Sequence, residues 1–149
     1  MKQFTSHSVN QTISLGESLA KDCQPGEVLA FFGGMGMGKT AFIQGLAKGL
    51  GISADVTSPT FALVNEFHGE KFTLYHFDMY RIGSWEDLYS TGYFDYLETD
   101  AVLAIEWSEN IENALPQGAR YIRIRQGETE NDRLISIGSE EVFYEDFSD

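Results

Sequence analysis

Two stretches of the chain are apolar without a break, VLAFF at Val28–Phe32 and AVLAI at residues 101–105. Continuous runs of that length are expected of strands buried on both faces of a sheet. Helical spacing appears twice. Ile13, Leu15, Leu19 and Ala20 predict a helix running from an Asn10 cap to about Lys21. Phe42, Ile43, Leu46, Ala47 and Leu50 predict a second helix, from Thr40 to Leu50, with Gly51 to end it. Near-alternation over residues 61–67 and 72–80, on either side of His68-Gly69-Glu70-Lys71, predicts a β-hairpin. Residues 85 to about 98 read as helical or irregular, and Ser108 is placed to cap a short helix ending near Pro116. Residues 121–125 and 134–137 read as a closing hairpin. Pro25, Pro59 and Pro116 each mark a boundary, the first inside the turn Gln24-Pro25-Gly26. Strand, loop and helix, then further strands with helices between them, give an α/β fold: a P-loop NTPase-like mixed sheet between helices, with an antiparallel hairpin. There is no repeat and no proline-rich linker. A single domain over residues 1–149 is expected, its last ten residues an acidic tail with five acids and no base.

Composition leaves this picture unchanged; charge sharpens it. Hydrophobic residues make up 42% of the 149 and charged residues 22%, which suits a globular domain without metal or disulfide staples. The one cysteine, Cys23, excludes an internal disulfide and reads as a small buried apolar residue. Lys and Arg number 10 against 23 Asp and Glu, a net charge of −13. Such a field repels nucleic-acid backbones, so the chain alone is a poor nucleic-acid binder. An anionic ligand must be captured by local chemistry. The opening MKQFTSHSVNQTIS lacks the apolar core of a secretion signal, and no apolar run approaches a membrane span, so a cytoplasmic location is expected.

The local chemistry is GGMGMGKT, Gly33–Thr40. It satisfies GxxxxGK[ST] through Gly33, Gly38, Lys39 and Thr40. Glycines let the backbone wrap tightly and turn its N–H groups toward phosphate oxygens. The helix that follows adds its dipole and free N–H groups. Lys39 reaches the β- and γ-phosphates, and the Thr40 hydroxyl coordinates Mg²⁺. Nucleotide contacts are thus expected at Gly33, Met35, Gly36, Met37, Gly38, Lys39, Thr40 and Ala41, with Thr57 facing them. The side chains of Met35 and Met37 occupy positions that the pattern leaves free.

A phosphate loop of this kind requires a carboxylate at the end of a neighbouring strand. Glu106 follows the apolar run at 101–105 and is the candidate for Mg²⁺; the alternative is an acidic helix-start residue. Asp78 ends a more amphipathic strand and is the candidate for orienting or deprotonating the attacking water; the alternative is an ion pair with Arg81. Thr57-Ser58-Pro59-Thr60 reads equally as a γ-phosphate sensor and as a plain turn. His76 shares a strand face with Asp78 but reads as a buried structural histidine. His7 and His68 show no ligand-like partners. Trp107 is core or a contact near the nucleotide, Trp85 a packing residue, and Arg123 and Arg125 a solvated face with Tyr121.

These blocks together resemble the TsaE family, the small P-loop ATPase of bacterial tRNA threonylcarbamoyladenosine (t6A) biosynthesis. The resemblance rests on Gly33–Thr40, Ser58-Pro59-Thr60-Phe61, His76-Phe77-Asp78-Met79-Tyr80-Arg81 and Glu106-Trp107, in that order, and on residues 85–98, which look like the family's acidic insert. It spans about Thr12 to Pro116. It implies ATP hydrolysis with Mg²⁺, with Lys39 and Thr40 on phosphate and Mg²⁺, Glu106 as second Mg²⁺ residue, Asp78 as catalytic acid and residues 57–60 as a switch. It also implies work beside a threonylcarbamoyl-transferase subunit (TsaD-like) and its paralogue (TsaB-like), which modify adenosine 37 of ANN-reading tRNAs. Met37 departs from the family, where alanine is common, and the acidic tail has no evident counterpart.

A phosphate loop also serves other functions. A small-molecule or nucleotide kinase needs an arginine-bearing lid, and between the loop and Arg120 there is only Arg81. A guanine-nucleotide switch needs an Asn-Lys-x-Asp element, which is absent. A nucleotide-gated binding module with negligible turnover stays open.

Overall fold

The computed structural model describes residues 2–33, 38–57, 59 and 63–141. Among the described residues seven strands form one mixed sheet: β1 (Lys2–Ser6), β2 (Val28–Phe32), β3 (Val64–His68), β4 (Thr73–Asp78), β5 (Val102–Glu106), β6 (Arg120–Gln126) and β7 (Arg133–Gly138). Their order is β1-β7-β6-β2-β5-β4-β3. The inner strands β6, β2, β5 and β4 are parallel, while β3, β7 and β1 add antiparallel edges. The two uninterrupted apolar runs supply β2 and most of β5, adjacent at the centre and buried throughout. Both hairpins form where alternation predicts them. The start of the first, Phe61 and Ala62, lies outside the described residues.

Helix α1 (Val9–Ala20) and helix α2 (Lys39–Gly49) cover one face of the sheet. Helices α3 (Trp85–Ser90) and α4 (Tyr93–Tyr96), with a 3₁₀ segment at Ser108–Ala114, cover the other. Period-two alternation divides the strands between the two cores. Leu29, Phe31, Leu74 and Ala104 face α1 and α2; Ala30, Phe32, Phe77 and Ile105 face the other layer. Each fully buried Phe, Leu or Ile contributes roughly 1.5–3 kcal/mol to holding the layers together. Cys23 is buried in the first core, and burial pushes its thiol up to about 11.

The structure corrects several expectations. The cap of α1 is Ser8, not Asn10. Ser8 is extended, and its hydroxyl accepts from Gln11 N at 3.1 Å, whereas Asn10 already lies in the first turn. Strand β1 was not foreseen, because KQFTS is an edge strand with only Ser6 buried and so carries no apolar signal. β4 stops at Asp78 rather than Tyr80, because the Asp78 carboxylate accepts from Tyr80 N at 2.9 Å and turns the chain. Ser108 caps nothing; its hydroxyl donates to the Ile105 carbonyl at 2.8 Å. Tyr121 is not on a solvated face but stacks on Phe32 at 5.2 Å in the core. Trp85, read as a packing residue, is half exposed and stacks on Phe94.

Helix α2 is pressed against α1 through glycines. A Cβ on Gly45 would overlap the carbonyl of Ile13, and one on Gly16 the carbonyl of Phe42. A Cβ on Gly49 would overlap the Ala20 methyl and the Glu17 carbonyl. Backbones this close leave α2 little freedom, which matters because the phosphate loop hangs from its first turn.

Candidate phosphate-binding site

The chain leaves β2 at Gly33, whose φ of 121° favours glycine, and a Cβ there would also crowd the Ile124 carbonyl at 3.2 Å. It enters α2 through Gly38, at φ 92°, and among the described residues no side chain caps the helix. The first N–H groups of α2 are therefore left for an external acceptor, aligned with the helix dipole. Lys39 is buried. Its Nζ donates to the Gly33 carbonyl at 2.9 Å and sits 5.0 Å from the centre of the Trp107 ring. A neutral carbonyl and an aromatic face hold this ammonium, and a phosphate oxygen can take the carbonyl's place. Thr40 lies exposed in the first turn and Ala41 is half buried beside it. Met35, Gly36 and Met37 lie outside the described residues.

Asp78 and Glu106 end β4 and β5 and are direct cross-strand partners. Alternation places both on the face that α2 covers. Ligands of open α/β sheets bind at this carboxyl edge of parallel strands. Asp78 is half buried, and the ion pair with Arg81, the alternative reading, does not form: Arg81 is exposed, and the Asp78 carboxylate accepts from backbone instead. Glu106 is buried, 6% exposed, and its Oε2 accepts from His76 Nε2 at 2.8 Å. His76 is buried as foreseen, but its partner is Glu106 across the strands. Among the described residues its Nδ1 has no hydrogen-bond partner. The carboxylate acceptor fixes the proton on Nε2, so His76 orients Glu106.

Among the described residues no group of three or more His, Cys, Asp or Glu gathers to hold a metal. A hard cation at Thr40 and Glu106 would complete its shell with phosphate and water oxygens, as Mg²⁺ does in nucleotide sites. The donor set, one hydroxyl and carboxylates beside an uncapped helix start, suits that ion.

Of the 57–60 stretch, Thr57 is exposed, with its carbonyl accepting from Asn65 Nδ2 at 3.3 Å, and Pro59 is buried. Ser58 and Thr60 lie outside the described residues. Several site neighbours had no sequence signal. Glu109 accepts from Gly33 N at 3.4 Å, and Asn110 Nδ2 donates to the carbonyls of Met79 at 2.9 Å and Tyr80 at 3.2 Å. These bonds tie the segment after β5 to the loop and to the segment after β4. Trp107, at φ 59°, is the one non-glycine with positive φ among the described residues, and its ring meets Tyr80 at 4.9 Å. His7 and His68 do have carboxylate partners, Asp132 at 2.9 Å and Glu66 at 2.7 Å.

The chain is similar to proteins already known. The family described as threonylcarbamoyl adenosine biosynthesis protein TsaE matches residues 6–135. A Treponema pallidum protein named tRNA threonylcarbamoyladenosine biosynthesis protein TsaE is 38% identical over 120 residues, 80% of this chain and 88% of that one. The Bacillus subtilis protein of the same name is 39% identical over 129 residues, 85% of this chain and 80% of its own length. Its Rickettsia prowazekii namesake is 32% identical over 142 residues, 95% and 97% of the two chains. Among solved structures, the crystal structure of Bacillus subtilis YdiB aligns with a TM-score of 0.76 at 29% identity, covering 97% of this chain and 88% of that one.

Proposed function

The chain belongs to the TsaE family of threonylcarbamoyl adenosine biosynthesis proteins, and from that membership we propose that it is the Mg-ATP-hydrolysing accessory protein of tRNA t6A37 formation. It works in the cytoplasm with a TsaD-like transferase subunit and its TsaB-like paralogue. One observation carries the reading: an uncapped α2 start bearing Lys39 stands beside paired carboxylates at the carboxyl edge of β4 and β5. Backbone N–H groups from Gly33 to Ala41 and the Lys39 ammonium hold the phosphates. Thr40 and Glu106 hold Mg²⁺, with His76 keeping Glu106 in place. A Mg²⁺ ion held there would supply positive charge to offset that of the phosphates. Asp78 orients the attacking water and takes its proton, and Thr57 faces the γ-phosphate.

The sequence offers no evident arginine finger beyond Arg81. Arg81 is exposed and has no ion pair among the described residues. P-loop enzymes that await a charge-stabilising partner are slower by a factor on the order of 10³–10⁵. Turnover by the isolated chain should be slow and should rise when the partner pair is added. The test is a reconstituted tRNA-modification assay run with parent chain, Lys39→Ala or no chain, alongside calorimetry of ATP binding. Repeated modification cycles are expected only with the parent, and ATP affinity should fall on the order of a hundredfold in Lys39→Ala. Equal ATP affinity in the two proteins would remove the cradle assignment.

A further inference from the structure

The sheet order fixes a direction across the phosphate loop. The carboxylates that receive the metal end of a nucleotide lie on β5 and β4, to one side of β2. A triphosphate extended over the start of α2 therefore carries its nucleoside toward β6 and β7, on the other side. What stands there is specific. β6 continues from Arg123, the partner of Phe32, to Gln126, so the β6–β7 turn rises above the edge at which β2 gives way to the loop. Arg133 opens β7 directly after this turn. Its Cγ and Nε lie 3.8 Å from where a Gly38 Cβ would be, with Ile124 Cγ2 at the same distance. The guanidinium is held by its Nη1, which donates to the carbonyls of Glu130 at 2.7 Å and Asp132 at 2.8 Å. Among the described residues Arg133 has no ion pair, although acids outnumber bases 23 to 10 in the chain. Asp132 is engaged by His7 Nδ1 at 2.9 Å, and Ser6 on β1 pairs with Arg133 across the ladder.

We propose that Arg133 forms the nucleoside end of the site, its planar guanidinium packing against the base of the bound nucleotide. This rests on the nucleotide reading above and adds a residue to it. Two features favour base over phosphate. The turn carries Glu128, Glu130 and Asp132, which repel phosphate yet can accept from exocyclic amino groups. And the two bonds to turn carbonyls fix the guanidinium in place, which suits stacking on a flat ring.

The test separates the two ends of the ligand. Binding of ATP and of inorganic tripolyphosphate, each with Mg²⁺, is measured by calorimetry for the parent, Arg133→Ala, Arg133→Lys and Lys39→Ala. Both Arg133 variants should lose roughly threefold to thirtyfold in ATP affinity, the range of a cation–π contact, and keep tripolyphosphate affinity within about twofold. The lysine variant holds the charge and so answers for an alanine variant that fails to fold by circular dichroism. Equal losses for both ligands would make Arg133 a phosphate contact and overturn the inference, as would no loss for either. Lys39→Ala should weaken both ligands. If it weakens neither while the Arg133 variants weaken ATP alone, the cradle assignment falls and the Arg133 assignment stands.

Discussion

The phosphate loop has two banks, and they are built in different ways. On the β5–β4 side, two carboxylates each end a strand, face each other across one ladder, and are locked by short bonds: His76 to Glu106 and Tyr80 N to Asp78. Their positions follow from the parallel core of the sheet. On the β6–β7 side, an arginine from a hairpin near the end of the chain leans on Gly38, held by turn carbonyls and by a histidine–aspartate contact at the surface. One bank is made by strand register, with Glu106 buried and Asp78 half buried. The other is half exposed and made by a turn. Chemistry that tolerates little misplacement belongs on the first, and recognition that can adapt belongs on the second.

The largest expected effect breaks the first bank alone. Asp78→Asn keeps shape and the bond from Tyr80 N but cannot take a proton. Partner-stimulated ATP turnover should fall roughly 10²–10⁴-fold with ATP affinity intact, and added Mg²⁺ should not restore it. Single-turnover kinetics across a Mg²⁺ series measures this; recovery at high Mg²⁺ would instead give Asp78 the metal. The next largest effect strikes both banks. Gly45→Ala drives a methyl into the Ile13 carbonyl and must shift α2, from which the loop hangs. A cost of about 3 kcal/mol is expected, seen as a fall of roughly 6–12 °C in melting temperature. ATP and tripolyphosphate should weaken together. A selective loss for one of them would show that α2 does not carry the two banks as a unit.

The first bank was legible in the sequence and the second was not. Glu106 could be found because a buried strand of uninterrupted apolar residues ends on an acid, and Asp78 because alternation ends on one. Those are local signals, and the loop itself is a local motif. The pairing of His76 with Glu106 needs β4 beside β5, a fact of sheet order that periodicity cannot supply. Arg133 is further removed. Its approach to Gly38 depends on β6 lying next to β2 and on a turn of polar residues with no distinctive pattern. The close glycines of α1 and α2 likewise read as helix-weakening residues until the helices are seen packed together. Edge strand β1 stayed hidden because four of its five residues face water.

A smaller effect sharpens the division of labour inside the first bank. Glu106→Gln removes a negative charge beside the proposed cation and weakens the bond from His76, since a charged acceptor binds more strongly than an amide. Mg²⁺-dependent ATP affinity should drop about tenfold, the scale of one charge-assisted bond, and excess Mg²⁺ should recover part of the hydrolysis. His76→Gln should produce a weaker form of the same Mg²⁺ dependence, because it acts only by holding Glu106. If His76→Gln lowers turnover without any change in Mg²⁺ dependence, the histidine serves packing alone.

The smallest effect concerns the support of the second bank. His7 follows β1, and its Nδ1 donates to Asp132 at the end of the β6–β7 turn. The hydrogen bond from His7 is the first cause that holds the Asp132 carboxyl below its ordinary value of 3.8, with a bond from Thr129 adding to it. A carboxyl with a depressed folded-state value binds protons more weakly folded than unfolded. Its contribution to stability is therefore complete above pH 3.8 and fades as pH falls through the lower folded value. The contact is exposed and screened, so its weight is small. His7→Ala should lower the melting temperature by at most about 3 °C at pH 6, and parent and variant should converge as the pH falls below 3.8 and through the lower folded value. ATP affinity should change less than in Arg133→Ala, because the turn loses one brace while the two carbonyl bonds to Arg133 remain. Melting curves across that pH range, with ATP titrations at pH 6, test both halves. A melting difference that persists undiminished in acid would mean that His7 acts through packing of α1 and not through Asp132. An ATP loss as large as that of Arg133→Ala would place His7 itself against the nucleotide and enlarge the second bank by one residue.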